Sequence, residues 1–149
     1  MCKFSTEGTF HVVDKHGRYL PYLAGGIAGV GLAIYEIRKL LKNNDIYLEE
    51  LNGIKKTMLS KCYYLPGLFK GASGVLAIAD KFDDLKVLDY CFKKLNLYLI
   101  DYKDKLYIPG EYCYRLSGDL FSGSAGTLAV LNDLNKVNDN LTWLPVIYK

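Results

Sequence analysis

The chain has 149 residues, a length that suits one domain. Half of it is apolar, 23% is charged and the mean hydropathy is +0.04, which excludes a disordered tail. Nineteen basic against 16 acidic residues leave a net +3. No Lys/Arg run concentrates it, and Arg18, Arg38 and Arg115 are the three arginines, so no footprint for nucleic acid is present.

From the N-terminus, Phe10 to Tyr22 has the character of an extended hairpin about a turn at Asp14-Lys15-His16-Gly17. The longest uncharged stretch, Tyr19 to Tyr35, is 17 residues and carries Pro21, Gly25, Gly26, Gly29 and Gly31. A spanning helix wants about 20 apolar residues, so this stretch predicts a buried helix over 27–42 and no membrane span. No signal peptide opens the sequence, and a cytoplasmic location is expected. Asp45 is the expected N-cap of an amphipathic helix with Leu48, Leu51, Ile54 and Met58 on one face. A second apolar helix is predicted over 72–82. Another helix starts near Asp83 or Asp84, with Leu88, Cys91, Phe92, Leu95 and Leu99 on its stripe. Leu99 to Ile108 reads as extended, and a third apolar helix covers 124–134. The chain closes on Trp143-Leu144-Pro145-Val146-Ile147, where Pro145 stops any helix.

The three apolar helices share a beginning. Gly26-Ile27-Ala28-Gly29, Gly71-Ala72-Ser73-Gly74 and Gly123-Ser124-Ala125-Gly126 each read G-x-x-G before small and aliphatic residues, at intervals of 45 and 52 residues. Each repeat has room for a buried helix and a half-exposed one, which predicts an all-α fold of inner and outer helical layers with short β-hairpin loops. The inner helices are apolar nearly all round, so burial on more than one side is expected.

Cys2, Cys62, Cys91 and Cys113 form no C-x-x-C pair and read as reduced thiols, with Cys91 on a core-facing stripe. Cys2, His11 and His16 match no standard metal-ligand spacing.

Pro21-Tyr22-Leu23-Ala24-Gly25-Gly26-Ile27-Ala28-Gly29, Leu68-Phe69-Lys70-Gly71-Ala72-Ser73-Gly74 and Ser117-Gly118-Asp119-Leu120-Phe121-Ser122-Gly123-Ser124-Ala125-Gly126 stand in an order that resembles the lanthionine synthetase C-like family. The closer resemblance is to the cyclase domain ending class III lanthipeptide synthetases, and Leu144-Pro145 fits that domain's terminal Leu-Pro. The resemblance covers about residues 18 to 147. It implies an α/α toroid of seven helical hairpins, of which this chain holds the last three, near 18–66, 67–117 and 118–149. The upstream kinase and lyase signatures are absent from the sequence, which implies a fragment, a split subunit or a truncated paralogue.

The implied reaction adds a peptide cysteine thiol to a dehydroamino acid. In the zinc-dependent branch, Cys and His ligands precede the glycines. Here Ala24, Gly25, Phe69 and Lys70 hold those places, so no zinc and no other cofactor is expected. Asp119 and His16 are the candidate catalytic residues, although a helix-capping carboxylate and a solvated loop histidine describe them as well. Tyr22, Gly25, Gly26, Gly71, Ser122 and Gly123 are the candidate substrate-binding residues, the glycines because helix N-terminal amides beside them would hold a peptide carbonyl or an enolate. Packing alone is the equal alternative for the glycines. Cys113 and Lys70 are further candidates, against readings as an inert thiol and a surface lysine.

The implied partners are a precursor peptide and upstream kinase and lyase domains or a separate subunit. A homodimer completing the ring is the other way to close the arc. The cut ends would expose Ile27, Val30 and Ile34 on one side and Val130, Leu131 and Leu134 on the other. A non-catalytic peptide-binding or assembly module of the same fold is the competing function. A helical repeat scaffold with no such ancestry is the third.

Overall fold

The computed structural model describes residues 1–60 and 65–134 together with Leu141 and Trp143. Cys62 and the Leu144-Pro145 pair lie outside the described residues. Among the described residues five α-helices dominate, accompanied by two small antiparallel sheets.

β1 (Cys2–Phe4), β2 (Phe10–Val13) and β3 (Tyr19–Leu20) form a three-stranded sheet in that order. The β2–β3 hairpin turns at 14–17, where the Asp14 carboxylate accepts the amides of His16 and Arg18. β1 is an addition to the expected hairpin. Its three exposed residues carry no local pattern, and pairing with Phe10 to Val12 makes it a strand.

α1 (Ile27–Leu41), α3 (Ala72–Lys81) and α5 (Ser124–Leu134) fall on the predicted inner helices. α2 (Leu48–Ser60) and α4 (Leu85–Asn96) are the amphipathic partners. α4 is capped by Asp84, whose side chain accepts the Val87 amide at 3.3 Å. α2 departs from expectation. Its first helical hydrogen bond runs from Leu51 to Tyr47, so Asp45 lies upstream and is not the cap. The α4 stripe is also shifted. Val87, Cys91 and Leu95 are the buried positions, while Phe92 is 41% exposed and Leu99 lies beyond the helix. A three- to four-residue stripe is only as wide as the surface it meets, and α4 meets α3 and α2 along one line. After α4 come β4 (Ile100–Tyr102) and β5 (Lys105–Tyr107), a hairpin whose turn residues Lys103 and Asp104 both take positive φ.

α3 is the centre of the molecule. It touches α1, α4 and α5, and Ala72 through Ala79 are buried without interruption. Burial on several sides therefore holds for α3. It does not hold for its flanking helices: Leu40 and Leu41 of α1 are 80% and 61% exposed, and Leu128 of α5 is 68% exposed. The expectation for the cut ends is corrected accordingly. Ile27, Ile34 and Val130 are buried against the core, Val30, Leu131 and Leu134 are partly buried, and Ile37, Leu40, Leu41 and Leu128 are the open apolar residues. α1 turns its buried residues to α3 and α2, and α5 turns its own to α3, which leaves Leu40, Leu41 and Leu128 open. No helix among the described residues is long and apolar enough to cross a membrane.

Candidate functional site

Three loops of one design feed α1, α3 and α5: Leu20 to Gly29, Leu65 to Gly74, and Ser117 to Gly126. In each, the first glycine stands just before the helix, as Gly26, Gly71 or Gly123. The second glycine lies beneath the carbonyl six residues back. A Cβ at Gly29, Gly74 or Gly126 would collide with the carbonyl oxygen of Leu23, Leu68 or Leu120 respectively. The spacing of the sequence motif is therefore set by backbone lying on backbone.

The loops are tied side by side. The Ala24 amide donates to the Phe69 carbonyl at 2.7 Å, and the Phe69 amide to the Phe121 carbonyl at 3.3 Å. Ala24, Phe69 and Phe121 hold the same position in the three repeats. Behind the row, Ser73 Oγ donates to the Pro66 carbonyl and shares a 2.6 Å hydrogen bond with Thr127 Oγ1, both buried. In front of it, the Phe69 and Phe121 rings stack with centroids 5.1 Å apart, and Trp143 meets Phe69 edge-on at 6.4 Å. Lys70 Nζ lies 6.0 Å from the Phe121 ring centre. A small, mostly apolar cleft opens between the second and third loops, lined by Leu65, Gly67, Lys70, Glu111, Phe121 and Ser122.

The row thus brings Tyr22, Gly25, Gly26, Gly71, Asp119, Ser122 and Gly123 onto the loops of one structure. His16 is not among them. It stands exposed in the β2–β3 turn. Cys113 is exposed at positive φ in a short 3-10 turn.

Asp119 binds its own loop. Its carboxylate accepts the Ser117 hydroxyl, the Ser122 amide at 2.6 Å and the Ser122 hydroxyl at 2.9 Å. The Ser117 hydroxyl foremost, then the Ser122 amide, holds its carboxyl down at about 2. A group so acidic is ionised at neutral pH but is a weak proton acceptor.

The helix N-terminal amides are also committed locally. Ala72 and Ser73 donate to the Leu65 and Pro66 carbonyls at 2.9 and 3.0 Å, and Ser124 donates to Ser117 at 2.8 Å. At α3 and α5 those donors close the loop, so they do not stand ready for a substrate oxygen.

Zinc does not fit the positions where the resemblance would put its ligands. Ala24, Gly25 and Phe69 offer no ligating side chain, and Lys70 is directed to an aromatic ring. Among the described residues no three His, Cys, Asp or Glu side chains gather, and Cys2, His11 and His16 form no such group. His11 is 3% exposed and hydrogen-bonds Thr9 Oγ1 at 2.7 Å.

The aromatic pair and Glu111 escaped the sequence reading as site residues. For the pair a signal existed: Leu-Phe recurs at Leu68-Phe69 and Leu120-Phe121. For Glu111 there was none, because only the fold carries the 109–117 loop to the second glycine loop.

No family model matches the chain. Over 140 residues it is 28% identical to a Streptomyces coelicolor protein named Probable SapB synthase, taking in 89% of this chain and 15% of that protein. The likeness supports a relationship to lanthipeptide synthetases.

Proposed function

We propose that this chain is the C-terminal part of a lanthipeptide-synthetase cyclase domain, an arc of an α/α toroid that assists thioether ring formation without zinc. The likeness to the Probable SapB synthase across 89% of the chain carries the reading. The row of three glycine loops at the heads of α1, α3 and α5 accords with it.

In the reaction a peptide cysteine sulfur bonds to the β-carbon of a dehydroalanine or dehydrobutyrine. The C=C electron pair moves toward the α-carbon and its carbonyl, and a proton is taken up at the α-carbon. The thiol proton lost equals the proton gained, so the mass is unchanged. The Phe69–Phe121 stack offers an apolar seat for the peptide, and the Lys70 ammonium beside it favours a thiolate. Asp119 keeps the third loop in shape. The precursor peptide is the substrate, and upstream kinase and lyase domains, a separate subunit or a second copy would complete the ring in the cytoplasm.

A second reading is a non-catalytic peptide-binding module of the same fold. It is favoured by Asp119 being spent on its own loop while His16 stands on another turn. The test incubates the chain with a dehydrated, cysteine-bearing precursor, alone and with kinase and lyase portions of a lanthipeptide synthetase. Thiol loss at constant mass, beyond that of the peptide alone, supports the cyclase. Binding without thiol loss selects the second reading. Neither binding nor thiol loss overturns both.

A further inference from the structure

Most polar groups at the cleft between the second and third glycine loops already have a task. The Ser122 amide and hydroxyl donate to Asp119, the Lys70 ammonium lies 6.0 Å from the Phe121 ring centre, and the Ala72, Ser73 and Ser124 amides close their own loops. Glu111 lines the same cleft from the 109–117 loop and is exposed to solvent. Among the described residues its carboxylate has no hydrogen bond and no ion pair, with Lys70 or any other cation. The cleft holds about 10 Å³, room for one water-sized group and so for the tip of a cysteine side chain, not for a ring.

The simplest account of Glu111 is an acidic residue at the first position of a 3-10 turn, placed to favour the turn's amides. A turn of three residues sums little dipole, and its Cys113 amide already donates to the Gly110 carbonyl at 2.9 Å. The backbone around Glu111 is held firmly. The Gly110 amide donates to the Arg115 carbonyl at 2.7 Å, and Pro109 bridges Leu116. A Cβ at Gly110 would meet Ser117 Cβ at 2.6 Å, and one at Gly67 would meet Ser122 Cα at 2.6 Å. The 109–117 loop is thus pressed on the third glycine loop and the third on the second, which keeps Glu111 at the cleft that Lys70 and Phe121 also line. A free carboxylate fixed beside an apolar seat can take up a proton and give it back.

We propose, resting on the cyclase reading, that Glu111 is the catalytic proton carrier of thioether formation. Its carboxylate accepts the proton as the peptide S–H bond breaks, and the sulfur bonds to the β-carbon of the dehydroamino acid. The C=C electron pair moves toward the α-carbon and its carbonyl. Glu111 then returns the proton to the α-carbon and ends ionised as it began, so no other reactant is consumed. The test follows thiol loss at constant mass in a dehydrated, cysteine-bearing precursor, with kinase and lyase portions of a lanthipeptide synthetase present. It compares the parent chain with Glu111→Gln, Glu111→Ala and Asp104→Asn, the last an exposed carboxylate of the β4–β5 turn. Glu111→Gln is expected to slow thiol loss about 100-fold, the low end of general acid–base catalysis, and Asp104→Asn to leave it unchanged. Acetate at matched ionic strength should restore part of the rate to Glu111→Ala and add nothing to the parent, because it supplies the missing carboxylate. A parent chain that does not speed thiol loss overturns the cyclase reading and this role with it. A parent that does, beside a folded Glu111→Gln of equal rate, overturns the role of Glu111 alone. Slowing in Glu111→Ala that acetate does not relieve makes Glu111 a structural residue and overturns that role as well.

Discussion

The Ala24 amide donates to the Phe69 carbonyl at 2.7 Å, joining two residues 45 positions apart that occupy the same place in successive repeats. Phe69 passes the relation on to Phe121 at 3.3 Å. A repeat in the sequence has thereby become a row in space, and the glycines beneath it let each loop lie on its own helix.

Gly74 is the most confined of these glycines. A Cβ there would meet the Leu68 carbonyl and, at 3.1 Å, the Leu23 side chain. Neither the loop nor the buried start of α3 has room to yield. Gly74→Ala is expected to cost about 3 kcal/mol or more, while Gly118→Ala, with nothing within 4 Å, should stay within about 0.5 kcal/mol. Thermal unfolding of the two variants beside the parent chain checks the contrast, and equal effects would contradict it.

Asp119 makes a pH-dependent contribution. Its carboxyl falls from the ordinary 3.8 to about 2 because the Ser117 hydroxyl and the Ser122 amide bind the charged form. A lowered value means stability that is present above the unfolded pKa and lost as pH falls toward the folded one. Asp119→Ala should therefore cost about 1 kcal/mol at pH 7, as an exposed capping carboxylate does. The difference from the parent should shrink between pH 4 and pH 2. Denaturant melts across that range measure it, and a difference constant with pH would contradict the assignment.

The thiols should divide by burial. Burial pushes the Cys91 thiol up to about 12, whereas Cys2 and Cys113 are exposed. At pH 8 the Cys91 thiolate fraction is then about one in 10⁴, so alkylation of the native chain should mark Cys2 and Cys113 and spare Cys91 until the protein unfolds. Mass mapping of the labelled peptides reads this directly. Native labelling of Cys91 at the rate of Cys113 would contradict it.

Association is expected through the apolar residues left open on α1 and α5. Leu40, Leu41 and Leu128 stand 80%, 61% and 68% exposed on two different helices. The surfaces on α1 and α5 are unlike, so pairing between copies is head-to-tail and must close. Light scattering at micromolar concentration should give a mass above 16.8 kDa. A monodisperse 16.8 kDa species with cooperative unfolding would contradict that expectation.

Much of the frame was legible because its signals are local. G-x-x-G before an aliphatic run fixes where α1, α3 and α5 begin, and Asp83 or Asp84 announces α4, the structure choosing Asp84. β1 was not legible, since Cys2 to Phe4 become a strand only through Phe10 to Val12. The start of α2 was misplaced because Asp45 has the chemistry of a cap, yet the chain takes positive φ at Tyr47 before helix begins. Within the candidate site, the glycine loops could be found from spacing. The hydrogen bonds between them, the Phe69–Phe121 stack and the commitment of the α3 and α5 amides are non-local. The exposure of Leu40 and Leu128 was hidden for the same reason: composition says that a helix is apolar, and only the fold says which neighbour is present.

The measurement closest to the central claim is the free-thiol content of a dehydrated precursor peptide at constant mass. It is followed by alkylation and mass spectrometry, with and without this chain, in the presence of kinase and lyase portions of a lanthipeptide synthetase. The account predicts that adding the chain speeds thiol loss with no change in peptide mass, and that Gly74→Ala abolishes the effect. Thiol loss at the same rate with and without the chain would contradict it.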